Sequence, residues 1–287
     1  MSILVNGHTR LMVHGVDTTE GIVYVDRMLE AGTTVVAAVA VGQGGTWHAG
    51  VPVFETVREA IHATDANAAL VCVRPPQVAE AILETADAGI ELIVCATSHV
   101  PVRDMIEVNA YLSGQDTRLV GPGSPGVFSP GSCLVGAFPP HVLSAGTIGV
   151  LSRSGSMAYE VTWLLTQAGL GQSTVMGIGD GLIVATGFAD ALALFEDDPA
   201  TEQVVLLGEI GGPEEEIAAA YIRDHMTKPV VALVVGHTAP PGRRMGHQGA
   251  IVQGYSGQAR MKVEALSKAG VRIAETLDDI PALLRKG

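Results

Sequence analysis

The chain has 287 residues, a length of about two domains at roughly 150 residues each. Its 30 acidic against 17 basic residues leave a net charge of −13, which argues against a nucleic-acid binder built on a broad basic face and leaves room only for a local basic loop. Hydrophobic residues at 47% and charged ones at 16% exclude a disordered chain, and aromatics at 4% leave the core to Val, Ile, Leu and Ala.

Strands and helices alternate along the first half. Leu11–His14 reads as a strand running into Gly15, and Thr18–Ala31 as a helix ended by Gly32. Val35–Val41 reads as a buried strand, Val51–Phe54 as a second, and Thr56–Ala63 as a helix. Ala69–Val73 is a strand stopped by Pro75 and Pro76; Val78–Ala88 is a helix with Gly89 after it. Leu92–Cys95, Val102–Leu112 and Leu119–Val120 read as strand, helix and strand. Gly, Pro and Ser then dominate, from Gly121 to Gly131.

A second alternation follows. Thr147–Leu151, Thr174–Ile178, Val204–Leu207, Val230–Val235 and Val271–Ala274 read as strands. Ser156–Ala168, Thr186–Phe195, Pro213–Asp224 and Gln258–Ala269 read as helices, with a terminal helix from Asp278. The expected fold class is α/β, two successive parallel-sheet domains with right-handed crossovers. The expected division is 1–125, a Gly/Pro-rich junction at 126–146, and 147–287.

The longest apolar run, Val35–Val41, is far short of the ~20 residues that span a bilayer. The N-terminus has no basic region followed by an apolar stretch. Cys72, Cys95 and Cys133 form no CxxC motif and no even set. A reducing cytoplasm, with no membrane partner, is the expectation.

Ligands of open parallel sheets bind beyond the carboxyl ends of strands, so the loops there are the candidates. Gly15-Val16-Asp17-Thr18-Thr19-Glu20-Gly21 has the position of a phosphate loop but not G-x-G-x-x-G, and its acids oppose an anion; a plain turn capped by Thr18 or Asp17 is the simpler reading. Ser152-Arg153-Ser154-Gly155-Ser156 opens a helix with hydroxyls and free N–H groups, which suits an anion. In Gly208-Glu209-Ile210-Gly211-Gly212 the flanking glycines let a carboxylate approach another loop, where it could orient a histidine; the alternative is a turn with a solvated Glu. In the loop Thr238–Ala250, His247 sits between Gly246 and Gly249 behind Arg243 and Arg244, a setting for a mobile loop that handles an anion.

These last three loops, with Tyr159-Glu160, Gly44-Gly45-Thr46, Val51-Pro52-Val53-Phe54, Thr227-Lys228-Pro229-Val230 and Thr238-Ala239-Pro240, make the chain resemble the α subunit of succinyl-CoA synthetase and related ADP-forming acyl-CoA ligases. The likeness runs from Met1-Ser2-Ile3-Leu4 to the terminal helix. It implies a Rossmann-like CoA domain, a flavodoxin-like ligase domain, and a β partner with an ATP-grasp fold that binds ATP or GTP with Mg, in an αβ or (αβ)2 complex. It implies that His247 is a phosphohistidine and that Glu209 holds the opposite ring nitrogen. Ser154, Gly155 and Ser156 would receive the phosphate. A small carboxylic acid, succinate or a related di-acid, would pass through an acyl phosphate to an acyl-CoA, with Tyr159, Gly123 and Ser124 near it. CoA would lie along Asp17, Thr18, Thr19, Glu20, Gln43, Arg74, Ala96, Thr97 and Ser98; no metal site is expected on this chain.

The departures from the family pattern cluster in that region. Gly15-Val16-Asp17-Thr18 stands for Gly-Phe/Ile-Thr-Gly, Gln43 for Lys, and Thr97-Ser98 for Thr-Glu. Gly121-Pro122-Gly123-Ser124 stands for Gly-Pro-Asn-Cys, and Gly179-Asp180-Gly181-Leu182 for Gly-Gly-Asp-Pro. The lysines, Lys228, Lys262, Lys268 and Lys286, all fall in the second half. CoA held in a shifted pose, with Arg74 in place of the missing lysine, is one reading. A different acceptor, an amine or another thiol, and a non-catalytic regulatory descendant are the others.

Overall fold

The structure, a computed structural model, describes residues 3–252 and 257–285; Met1, Ser2 and Lys286 lie outside them. The N-terminal half folds as β1 (Arg10–His14), α1 (Thr19–Glu30), β2 (Thr34–Val39), β3 (Trp47–His48), β4 (Val51–Phe54), α2 (Val57–Thr64), β5 (Ala68–Val71), α3 (Val78–Asp87), β6 (Leu92–Cys95), α4 (Val102–Leu112) and β7 (Arg118–Val120). Its sheet order is β3-β4-β2-β1-β5-β6-β7. With the two-residue edge strand β3 set aside, the strands run parallel in the order 3-2-1-4-5-6 of a dinucleotide-binding fold. Period-two alternation splits its core. Leu11 and Val13 face α1 and the second half of the molecule, while Met12 faces the opposite layer with Val57, Val78 and Met105.

The C-terminal half continues with β8 (Gly126–Ser129), β9 (Cys133–Gly136), β10 (Ala145–Ser152), α5 (Gly155–Gln167), β11 (Gln172–Gly177), α6 (Phe188–Asp197), β12 (Gln203–Glu209), α7 (Glu214–His225), β13 (Val230–Val235), α8 (Ala259–Lys268), β14 (Arg272–Ile273) and α9 (Ile280–Leu284). Its order is β14-β13-β12-β10-β11-β8-β9. The five parallel strands carry the doubly wound flavodoxin-like order 2-1-3-4-5, and β8 and β9 add an antiparallel ribbon at the β11 edge.

That ribbon lies in the stretch read from sequence as a junction. Its Gly and Pro content hides two four-residue strands, every residue of which is buried. β9 also packs on the N-terminal half. Thr33 Oγ1 donates to the Leu134 carbonyl at 2.8 Å and accepts from the Leu134 N–H at 2.9 Å, and Arg27 Nη1 donates to the Ala137 carbonyl at 2.6 Å. Residues 126–137 therefore tie the halves together rather than separate them.

Helix starts follow their capping groups. Thr18 caps α1 by accepting from the Gly21 N–H at 3.0 Å, and Ser154 caps α5 by accepting from Met157 at 3.4 Å. Thr186, expected to open a helix, instead donates its buried hydroxyl to the Leu119 carbonyl. The helix starts after Gly187, because Asp190 and Glu214 accept from the N–H groups of Gly187 and Phe188. No described helix is long and apolar enough to cross a membrane. Cys72, Cys95 and Cys133 are free and buried, and burial pushes each thiol pKa up.

Candidate active site

Each sheet has one point where its strand order reverses, and a crevice opens there at the carboxyl ends of the strands. In the second sheet that point lies between β10 and β12. It brings the loop Ser152–Ser156 beside the loop Glu209–Gly212, and the segment 244–251 closes over both. Arg244 bridges to Ile251 and the Met245 N–H donates to the Ala250 carbonyl, so the segment is a tight loop with His247 at its turn.

His247 is held from both sides. Its Nε2 lies 2.8 Å and 2.7 Å from the two carboxylate oxygens of Glu209. Its Nδ1 lies 3.0 Å from the Asp180 backbone carbonyl, which also accepts from the Gly249 N–H at 3.0 Å. Nε2 thus faces only a carboxylate, whereas Nδ1 faces the Asp180 carbonyl and also the Gly249 N–H at 3.3 Å, an acceptor and a donor together. Burial works against a charge on the ring, but the hydrogen bond and charge of Glu209 and the Asp180 carbonyl outweigh it, and the His247 pKa is raised.

Glycine makes this packing possible at two places. Gly211 has φ +90°, and a Cβ there would run into the Gly249 carbonyl oxygen. A Cβ on Gly249 would meet Arg153 Nη2 and the carbonyls of Asp180 and Gly181.

Glu209 is 6% exposed and has support that the sequence reading missed. Arg153, 3% exposed, sets Nε 3.5 Å from Glu209 Oε1 and donates Nη1 to the Gly211 carbonyl at 2.7 Å. Behind it, Glu215 Oε1 accepts from the Glu209 N–H at 2.9 Å, and Lys262 Nζ bonds to Glu215 and to the Gly211 carbonyl. The Lys262 and Glu215 side chains are both 0% exposed. A signal for them was present: Lys262 falls in register with Ala259 and Leu266, and Glu215 with Ala218, Ala219 and Ile222, which puts a charge in the apolar stripe of each of two facing helices.

Among the other expected residues, Ser154, Gly155 and Ser156 stand at the start of α5, with the two hydroxyls 3.2 Å apart. Tyr159 sets its ring edge-on to Phe138 at 5.1 Å. Ser124 is buried and committed to the backbone, donating to the Gly177 carbonyl at 2.6 Å and accepting from the Gly126 N–H. Gly123 lies against Asp180 and Ser98.

At the switch point of the first sheet, between β1 and β5, a cavity of about 370 Å³ is lined by Thr18, Glu20, Tyr24, Cys72, Arg74, Ala96, Thr97, Ser98 and His99 among others. This gathers Thr18, Glu20, Arg74, Ala96, Thr97 and Ser98 in one place. Asp17 lines an adjoining hollow with His14, Arg74, Gln77, Glu80 and Glu84. Thr19 and Gln43 line neither cavity: Thr19 is an exposed first residue of α1, and Gln43 sits in a loop whose Gly42 and Gly44 N–H groups are bound by Glu55 at 2.8 Å. Thr18, Thr97 and Ser98 bring hydroxyls to this cavity, Arg74 a cation and Glu20 a carboxylate.

The CoA binding domain profile matches residues 6–99, and the CoA-ligase profile matches residues 151–274. The α subunit 2 of an ADP-forming succinate–CoA ligase of Archaeoglobus fulgidus is 46% identical over 284 residues, 99% of both chains. The α subunit of the same enzyme from Staphylococcus aureus is 44% identical over 99% of this chain and 94% of its own. Among solved structures, ATP citrate lyase from Methanothrix soehngenii in complex with citrate and coenzyme A aligns with a TM-score of 0.88 at 22% identity. The alignment takes in 99% of this chain, which spans 50% of that one. An acetyl-coenzyme A synthetase of Ca. Korarchaeum cryptofilum aligns with a TM-score of 0.75 at 18% identity over 95% of this chain and 59% of its own. These two likenesses concern the fold.

Proposed function

The chain belongs to the family of ADP-forming succinate–CoA ligase α subunits, and on that premise we propose that it is the α chain of an acid–thiol ligase that activates a small carboxylic acid through phosphohistidine and acyl phosphate. The observation that carries this reading is the clamp on His247, between the Glu209 carboxylate and the Asp180 carbonyl, with Glu209 paired to Arg153 just ahead of α5.

His247 takes the phosphoryl group of ATP or GTP, bound with Mg on an ATP-grasp β partner. Glu209 keeps the proton on Nε2; Nδ1, once its proton has passed to solvent and it leaves the Asp180 carbonyl, is the nucleophile that forms the N–P bond as the bond to the departing nucleoside diphosphate breaks. Ser154, Ser156 and the free N–H groups at the start of α5 receive the phosphate. The acid then takes the phosphoryl group from His247; Tyr159 and Gly123 would border the acid, and Ser124, its hydroxyl committed to the backbone, would shape that loop rather than touch it. CoA supplies the attacking thiol when it is bound. Thr18, Glu20, Arg74, Ala96, Thr97 and Ser98 would hold it along the first switch point and Asp17 would meet it from the adjoining hollow, while Thr19 and Gln43, outside both, would be reached only by a part of the ligand that leaves them. The assembly is αβ or its dimer, and a cytoplasmic location suits three free thiols.

A second reading rests on the adjoining hollow. Asp17, Glu80 and Glu84 there outnumber Arg74, which disfavours a heavily phosphorylated acceptor and favours an amine or a smaller thiol.

The test uses this chain purified together with its ATP-grasp partner. Incubation with ATP should leave an acid-labile phosphate on His247, absent in His247→Asn. An unmodified chain beside an active partner overturns the catalytic reading in favour of a regulatory descendant. Titration calorimetry with CoA separates the two acceptors, since no binding at millimolar CoA leaves only the second.

A further inference from the structure

Asp180 links the two switch points, the second directly at His247 and the first through Ser98. Its backbone carbonyl holds His247 Nδ1. Its carboxylate points the other way, and Oδ2 accepts from Ser98 Oγ at 2.9 Å. Ser98 lines the cavity of the first sheet. The carboxylate has room because residue 123 is glycine: a Cβ there would run into Asp180 Oδ1 and come within 3.0 Å of Ser98 Oγ. Residues 98, 123 and 180 are far apart in sequence, and all three depart from the family pattern. In space they form one cluster, set between the cavity and the histidine.

From this placement we propose that the Asp180 carboxylate is the general base of the acyl-transfer step, accepting the proton of the thiol that attacks the acyl phosphate. The proposal rests on the phosphohistidine reading above. The balance is simple. The S–H proton passes to Asp180, the C–S bond forms, and the bond between the acyl carbon and the phosphate oxygen breaks. Phosphate leaves with that electron pair, and Asp180 releases its proton to water.

The surroundings suit the task. Burial pushes the Asp180 carboxyl up, the Ser98 hydrogen bond and the nearby His247 and His99 pull against it, and Glu209 adds to the rise. A carboxylate made more basic in this way is a better acceptor for a thiol proton than an exposed one. Ser98 fixes its direction.

The experiment uses the αβ complex with ATP, succinate and CoA, and reads two half-reactions and one spectrum. In Asp180→Asn the backbone carbonyl that holds His247 is retained and only the charge near the ring is lost, so thioester formation from phosphorylated enzyme falls about 10²- to 10⁴-fold, far more than phosphohistidine formation does. The ascending pH limb of that second half-reaction disappears with it. Infrared difference titration of the wild-type complex without CoA shows a carboxyl band, distinct from that of buried Glu215 and absent in Asp180→Asn, that ionises above the ordinary Asp value. In Ser98→Ala that ionisation and the kinetic limb move upward together, because a donor to the carboxylate is lost. A thioester step in Asp180→Asn within threefold of wild type overturns the proposal, as does an unmoved limb in Ser98→Ala. Equal loss of both half-reactions in Asp180→Asn also overturns it, since the residue then acts only by shaping the His247 seat. If the wild-type complex forms no phosphohistidine at all, the reading beneath the proposal fails, and the proposal with it.

Discussion

The backbone N–H of Glu209 donates to Oε1 of Glu215 at 2.9 Å, so the carboxylate that faces His247 is aimed by a second carboxylate buried behind it. Glu215 is itself neutralised by Lys262, which also ties down the Gly211 carbonyl. A chain of charge thus runs from α8 through α7 to the ring of His247.

Removing one end of that chain should be costly. Lys262→Met leaves Glu215 buried and unpaired, and unfolding in denaturant should show a loss of about 3–5 kcal/mol. The double variant Lys262→Met with Glu215→Leu should recover much of it, since a well-packed apolar pair has no charge to desolvate. Recovery of stability without recovery of His247 phosphorylation would assign the pair to aiming Glu209.

The raised pKa of His247 gives a signed pH dependence. Its extra stabilisation is fully present below the ordinary value of 6.5 and is lost as pH rises through the folded value. Phosphorylation runs in the opposite sense, because the nucleophile is the neutral ring, and its rate should climb over that same interval. In Glu209→Gln the carboxylate's charge is gone and burial dominates, so the His247 pKa should fall. Proton-detected histidine titration by NMR in wild type and variant checks both statements.

Gly211→Ala should displace the His247 loop, since the new Cβ meets the Gly249 carbonyl and the backbone has φ +90°. Phosphohistidine formation should be lost. Gly242→Ala provides the comparison: φ is +73° but nothing lies near its Cβ, so only a backbone cost of about 1–2 kcal/mol is expected. Thermal melts and phosphorylation assays on the two variants separate collision from strain.

Arg74→Ala should weaken CoA binding to the complex about tenfold, the effect of losing one hydrogen bond to a charged group. Calorimetry at two salt concentrations checks it. The wild-type affinity should drop with salt more steeply than that of the variant.

Much of this architecture was legible in the chain. Strand–helix alternation and apolar periodicity are local, and they placed nearly every parallel strand within two residues. The ribbon Gly126–Gly136 was missed because Gly and Pro mark turns wherever they occur, and its strands are short and buried on both faces. Glu209, His247 and the serine loop could be singled out because glycines around a charged residue signal close approach. Arg153 and Asp180 lay in marked segments, but their roles could not be read, because those depend on what packs against them.

The amino-acid sequence by itself determined the two α/β halves and which loops follow which strands, because hydrophobic period, caps and turn residues act over a few positions, and its short motifs carried the resemblance to the family. Tertiary structure alone decided that the β10 and β12 loops meet at a switch point, that residues 98, 123 and 180 share one small volume, and that Lys262 reaches the site from behind. Those facts depend on strand order and on the space a missing Cβ leaves, which exist only once the sheets have assembled.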